Sequence, residues 1–429
     1  MKLPAKRAPK KTTPQPNLVK RFFGALGPGV TTGAADDDPS GIATYSMAGA
    51  QFGMGMLWTA FMTWPLMACV QMMCARIGMV TGRGLASALE TKFPRPLIFI
   101  AAFGLFIANT INVGADLAGM ADAAEMLTGL NSHWFIVPFG ALIAAATIWL
   151  RYWQIASVLK WLALVLFAYV ITAFIIHPDW SAVSRAAFIP SLPKGREGWG
   201  MLVAILGTTI SPYLLFWQTA QEVEEEKAMG RRMLYRRVGA TKTELIDRKL
   251  DVGAGTFFSN VVMFFIILTC ALTLHQNGIR IETTKEAAQA LHPLAGNFAA
   301  TLFTVGLIGT GLLAIPTLTG SAAYALAECF RWREGLDRRF RRARAFYGVI
   351  IVSTLIGIGM DFADINPVKA LYWTAVVNGL LAPFLLLGIV LLAADRRRMA
   401  GQPSSKFSII MVSLTMLVMF AAAVGMFVF

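Results

Sequence analysis

Stretches such as Leu162 to Ile176, Val261 to Leu274 and Ile409 to Phe429 are apolar on every side, which constrains the chain more than any motif does. A helix on the surface of a soluble protein keeps a polar stripe for water, whereas one that is apolar all round needs a non-aqueous setting. The longest runs reach about 20 residues, the length that crosses a bilayer core. Only 14% of the 429 residues are charged and the mean hydropathy is +0.60, so an all-α, polytopic membrane protein is expected. Eleven spans fit: 28–52, 54–80, 97–126, 134–150, 155–177, 199–227, 245–275, 297–330, 345–360, 367–393 and 407–429.

The basic residues orient these spans. With an inner amino terminus, only Arg185, Lys194, Arg196, Arg280, Lys285 and Lys369 of the 38 lysines and arginines fall on the outer side, and Lys160 lies within a span. That bias puts the amino terminus in the cytosol of a plasma (inner) membrane protein and, for an odd span count, the carboxyl terminus outside. The net charge of +14 then reads as topology and contact with anionic lipid at the cytosolic face, not nucleic-acid binding, because runs such as Arg338 to Arg344 are juxtamembrane. Residues 1–27 read as a disordered basic cytosolic tail. Cys69, Cys74, Cys270 and Cys329 show no paired spacing and read as small core residues.

Within the first span, Gly33 to Ser46 reads GAADDDPSGIATYS. An ionised side chain at the bilayer centre costs about 2.5–3.5 kcal/mol, so Asp36, Asp37 and Asp38 together ask for roughly 8–10 kcal/mol unless a bound cation or a water-filled cavity offsets it. Pro39 lacks an N–H and clashes with the carbonyl four residues back, so the helix is expected to break and leave the Ala35 carbonyl unpaired. Ser40 and Gly41 ease the break. Pro212 in the sixth span should release the Thr208 carbonyl in the same way. Breaks in the first and sixth spans point to a 5+5 inverted repeat with its site near the midplane, plus one extra helix. The expected order is a first repeat over 28–177, an outer loop over 178–198, a second repeat over 199–393, and an inner loop with the eleventh helix over 394–429. Both first half-helices meet their break with carbonyl ends of partial negative charge, so these ends and a carboxylate favour a cation. Asp38 is the expected ligand, and Asp36 and Asp37 either join it or face water in a vestibule.

Other polar groups fall on helical faces. Asn109, Asn112 and Asp116 share one face of the third span, as a vestibule or as interhelical hydrogen bonds. Gln218, Gln221, Glu222 and Glu225 form a stripe in the sixth, read as a cation-lined exit or a solvated helix end. Thr317, Thr319 and Ser321 either mark a sodium site or bond their own backbone.

At the two breaks the sequence resembles the natural resistance-associated macrophage protein (NRAMP) family of divalent-metal transporters, and is most similar to its bacterial magnesium-transporting branch. The family carries Asp-Pro-Gly-Asn in its first helix and Gly-Ala-Thr-Val-Met-Pro-His-Asn in its sixth. Here these read Asp38-Pro39-Ser40-Gly41 and Gly207-Thr208-Thr209-Ile210-Ser211-Pro212-Tyr213-Leu214, and Ala115 to Met120 resembles the third-helix motif. The resemblance implies a metal held by Asp38, position 41, position 211 and the Thr208 carbonyl. Gly41 in place of Asn widens the cavity, and Ser211 in place of Met replaces a soft thioether with a hard hydroxyl. An all-oxygen, roomy site suits Mg²⁺, which keeps several waters, and admits Mn²⁺. The family's sixth-helix His is Tyr213 here, its third-helix acidic pair is Asp116 and Gly119, and its tenth-helix Gln lies one turn from Asn378, a candidate water binder. His133, His177, His275 and His292 all map to outer ends, so uptake driven by membrane potential without protons is expected. The alternative within the family is proton-coupled Mn²⁺ or Fe²⁺ transport.

Contrasting classes fit less well. An intramembrane aspartyl protease needs a second Asp in a Gly-x-Gly-Asp setting, and Asn112 to Asp116 reads NVGAD. A sodium-coupled amino-acid carrier needs no anion at its centre, which Asp38 opposes. The chain is therefore expected not to be an enzyme and to need no cofactor, the divalent cation being its cargo.

Overall fold

A computed structural model describes residues 28–150, 164–191, 195–363 and 366–429. Among these residues the chain is helical throughout, without strands. The first span is two half-helices, α1 (Pro28–Asp36) and α2 (Pro39–Phe52), followed by α3 (Trp58–Thr81), the short α4 (Leu85–Leu89), α5 (Arg95–Thr128), α6 (His133–Trp149) and α7 (Phe167–Ile175). After α8 (Trp180–Phe188), the sixth span is again split, into α9 (Gly195–Thr209) and α10 (Pro212–Ala228). The remaining long helices are α11 (Lys242–Thr273), α12 (Ala299–Phe330), α13 (Arg344–Met360), α14 (Pro367–Ala393) and α15 (Lys406–Val428). Seven segments among the described residues are long and apolar enough to cross a membrane, and α6 and α13 are shorter apolar helices.

The all-helical expectation with breaks in spans one and six holds, and helix limits lie within a few residues of the hydropathic spans. The basic tail and residues 155–163 of the fifth span lie outside the described residues. The segment read as an outer loop over 178–198 contains α8, started by Asp179, whose carboxylate accepts from the Ser181 N–H at 2.9 Å. All four cysteines are unpaired.

The broken helices are the centre of the bundle. The apolar window of α9 and α10 is 94% buried, that of α15 only 22%, which puts α15 at the periphery. The α1 half-helix packs on α11 and α10, α2 packs on α11, α14 and α9, and α5 packs along α12. Small residues bring α1 against α11: a Cβ at Gly33 would lie 2.4 Å from the Gly255 carbonyl oxygen, so only glycine permits that approach.

Candidate metal site

Both breaks follow from the residue before a proline, which sterics push out of the helical region. Asp38 has φ −73° and ψ 170°, and Ser211 φ −72° and ψ 134°. Each turns the chain and starts the next half-helix. Asp38 caps α2, its Oδ1 accepting from the Gly41 N–H at 2.6 Å. That leaves Oδ2, which faces the Asn112 amide at 3.3 Å and the Tyr213 hydroxyl at 3.5 Å. The Asn112 amide is also 3.3 Å from Asp116 Oδ2, so one side chain of α5 bridges two carboxylates.

The carbonyls released by the prolines do not stay bare, which corrects the expectation for Ala35. Tyr213 donates to the Ala35 carbonyl at 3.0 Å, and Ser211 Oγ lies 2.6 Å from the Thr208 carbonyl and 2.8 Å from the Gly207 carbonyl, its one proton shared between them. The hydroxyls at positions 211 and 213 thus cover the vacancies left by Pro212 and Pro39. A carbonyl oxygen has two lone pairs, so each retains acceptor capacity for a cation. Tyr213 also joins the two breaks directly, with one contact on each side of the first.

Gly41 borders the same pocket: a Cβ there would stand 3.2 Å from Thr208 Oγ1, 3.3 Å from Asp38 Oδ1 and 3.4 Å from the Asp36 carbonyl. A Cβ alone would crowd these oxygens, so glycine lets the two breaks approach closely at this point. The other two aspartates turn toward α11, where Ser259 Oγ lies 2.6 Å from Asp36 Oδ2 and 3.2 Å from Asp37 Oδ1. A hydroxyl donates one proton, so it serves one of them at a time. Asp36, Asp38 and Asp116 are all but inaccessible and Asp37 is 5% exposed. The Oδ1 atoms of Asp36 and Asp116 have no hydrogen-bond partner, and no Lys or Arg pairs with any of the four carboxylates among the described residues. Tyr45, also buried, faces the same aspartates and contacts Thr208.

The other expected site residues separate. Asn109 ties α5 to α12, donating to the Leu318 carbonyl and to Ser321 Oγ, each at 2.8 Å. Thr317, Thr319 and Ser321 each bond a carbonyl of their own helix. Ser40 fastens the break to α14 through the Leu371 carbonyl at 2.9 Å and Thr374 at 3.2 Å. Asn378 is buried on α14 and makes no hydrogen bond to the Asp38 cluster among the described residues.

The acidic stripe of α10 is corrected more sharply. Gln218, Gln221 and Glu222 are buried, not a solvated end, because α10 packs between α3 and α12 and Arg248 reaches Glu222 from α11. Glu222 lies 2.8 Å from Arg248 Nε, and Gln218 donates to Glu222 at 2.7 Å. Arg248 also pairs with Glu225 and Asp251. Asp251 in turn accepts from the Gly29 and Val30 N–H groups at 2.7 and 3.1 Å, capping the start of α1. One arginine therefore ties α10, α11 and α1 together, beside a cleft of about 170 Å³ that Glu222, Glu225 and Glu226 line.

Ser259, Tyr45, Arg248 and Asp251 were not anticipated. A serine on α11 carries no signal by itself, but Arg248 and Asp251 in an apolar span are as anomalous as the three aspartates, and that was legible.

Comparison with known proteins follows the same lines. A family model described as natural resistance-associated macrophage protein-like matches residues 29–429. The divalent metal cation transporter MntH of Deinococcus radiodurans is 27% identical over 402 residues, spanning 90% of this chain and 85% of that protein. MntH of Yersinia pestis is 30% identical over 323 residues, 71% of this chain and 72% of its own. A manganese transporter of Eremococcus coleocola has a similar structure, with a TM-score of 0.69 at 18% identity over 98% of this chain and 90% of that one. MHP1, a nucleobase-cation-symport-1 family transporter, gives 0.56 at 14% identity over 93% and 90%. At such identities the structural likeness concerns the fold.

Proposed function

The chain belongs to the natural resistance-associated macrophage protein-like family, whose matched relatives are transporters rather than enzymes, and from that premise we propose that it imports a hard divalent cation, Mg²⁺ first and Mn²⁺ with it, through the Asp38 pocket. The observation that carries this reading is the set of buried carboxylates at the paired break that hydroxyls and an amide surround and that no arginine or lysine among the described residues neutralises. Such charge is costly in a low-dielectric interior, and a divalent ion would offset it. Asp38 supplies the carboxylate, the Thr208 and Ala35 carbonyls supply hard oxygens, and Ser211 in place of a thioether removes the group that prefers softer metals. Mg²⁺ keeps part of its water shell, so a small number of protein oxygens suffices for it. Asp37 is assigned to the ligand set and Asp36 to its vestibule.

In this reading the driving force is the membrane potential. A divalent ion crossing 100 mV gains about 4.6 kcal/mol, on the order of a thousandfold in concentration, so a coupled proton is unnecessary. Asn112, which links Asp38 to Asp116, favours the second reading, in which a proton leaves Asp38 toward Asp116 as Mn²⁺ or Fe²⁺ arrives. The amino terminus is placed in the cytosol and the carboxyl terminus outside, with anionic lipid against the basic inner loops, on the strength of the charge bias.

The test is flux in sealed vesicles holding the purified chain, with Mg²⁺, Mn²⁺ and Ca²⁺ followed separately and internal pH recorded together. Mg²⁺ and Mn²⁺ entry that rises with an inside-negative potential and leaves pH unchanged is expected. Acidification in step with metal entry would establish the coupled mechanism instead.

A further inference from the structure

Where α3, α11 and α15 meet, they leave a cleft of about 510 Å³ apart from the transport site. Most of its wall is apolar, including Trp64, Ala68, Met72, Ile246, Phe407 and Met411. From Trp64 to Arg76 the cleft follows α3 for twelve residues, about 18 Å at helical rise, comparable with one leaflet of a bilayer core at ~15 Å.

One end has different chemistry. Arg76 and Lys249 both line it, and no carboxylate pairs with either among the described residues. Arg76 is held in place: its Nε donates to the Gln402 carbonyl at 3.3 Å, and the Gln402 side chain bonds the Ala240 N–H and carbonyl, each at 3.1 Å. Ser404 is fixed by its own N–H, 2.9 Å from the Ala393 carbonyl. Ser404 lines the cleft, is 6% exposed, and its buried hydroxyl has no hydrogen-bond partner among the described residues. Beside it Ser405 caps the 23-residue α15, accepting from Ser408 N–H at 3.2 Å, while the N–H groups of the first turn have no acceptor within the helix.

Two unpaired cations, an orphaned buried hydroxyl and the positive end of a helix call for an anion with several acceptor oxygens. The apolar remainder of the cleft calls for a hydrocarbon chain attached to that anion, since a free anion would leave it unfilled. We propose that this cleft binds one anionic phospholipid, its phosphate between Arg76, Lys249, Ser404 and the start of α15, and an acyl chain along α3. The proposal gives a place to the lipid contact inferred above, and the assignment to the inner leaflet rests on the orientation proposed there. Lys249 adjoins Arg248 in sequence, so the lipid would brace the turn of α11 that ties α10 to α1.

The test is native mass spectrometry of the full chain in detergent micelles, titrated with dioleoyl phosphatidylglycerol or dioleoyl phosphatidylcholine. One phosphatidylglycerol is expected to be retained at roughly tenfold lower concentration than phosphatidylcholine. The Arg76→Gln/Lys249→Gln pair should remove that preference, and Met72→Trp, which fills the apolar part, should weaken both lipids. An Arg341→Gln/Arg342→Gln pair, equally basic but elsewhere, should change nothing. Ser404→Val serves if the double variant does not fold, and should lower phosphatidylglycerol retention several-fold. Equal retention of the two lipids, equal loss in the Arg341 and Arg342 pair, or displacement of the lipid by millimolar inorganic phosphate would overturn the proposal. Micelles have no sides and the readout involves no metal, so these results stand apart from orientation and transport. Protease access to the 231–241 loop in sealed vesicles reports the orientation separately.

Discussion

Two acidic clusters lie inside this bundle, and the protein treats them in opposite ways. At the paired break, Asp36, Asp37, Asp38 and Asp116 are met by Ser259, Tyr213, Asn112 and backbone N–H groups. At the far end of α10, Glu222, Glu225 and Asp251 close on Arg248. Neutral donors soften a buried carboxylate without cancelling its charge; a guanidinium cancels it. A cluster with its own arginine is complete and can serve as a clasp between helices. A cluster without one among the described residues is left to be completed by something that arrives, and under the proposed function that is the cargo.

The largest effect should come from removing the charge that calls for the ion. Asp38→Ala is expected to bring metal uptake by reconstituted vesicles to background while the purified protein stays helical and monodisperse. Uptake that survived would place the metal elsewhere.

Next in size is the clasp. Arg248→Met leaves Glu222 buried beside no cation among the described residues, a loss of about 3–5 kcal/mol in systems of this kind. A clear fall in the unfolding temperature in micelles is expected, partly restored when Glu222→Gln is added. If Arg248→Met were neutral, the two clusters would not differ as described.

A smaller change should appear in selectivity. Ser211→Met returns a thioether to the pocket and is expected to raise Mn²⁺ uptake relative to Mg²⁺ on the order of tenfold, about 1.4 kcal/mol of preference. An unaltered ratio would remove position 211 from the pocket wall. The smallest expected effect is that of Tyr213→Phe, which deletes the hydroxyl over the Ala35 carbonyl at a cost of about 1 kcal/mol. The initial rate of Mg²⁺ uptake should change several-fold, without loss of transport.

What could be read before any coordinates follows from how far each signal reaches along the chain. Pro39 and Pro212 act on the residue before them and the carbonyl four residues back, so both breaks and their pairing were visible in sequence. Gly41 facing Thr208 was implied by the family resemblance and appears in the geometry. Ser259 beside Asp36 and Arg248 beside Glu222 depend on the rotation of α11 against its neighbours, which apolar periodicity does not fix when the helix is apolar nearly all round. For the same reason the spacing of α10 shows a polar face, open to either an exit or a solvated end, but not the arginine that reaches Glu222. The covering of the Ala35 and Thr208 carbonyls needed side-chain directions as well. Tyr213 and Ser211 read as replacements for His and Met, and that they would cap the carbonyls the prolines release became visible only in the fold.

Anomalous scattering from crystals soaked in Mn²⁺ would compare the two clusters in one experiment. A single strong peak beside Asp38 Oδ2 and the Thr208 carbonyl, with none among Glu222, Glu225 and Asp251, is the predicted result. A peak at the Arg248 cluster, or none near Asp38 in crystals of a protein that transports Mn²⁺, would contradict the claim that the unneutralised carboxylates form the metal site.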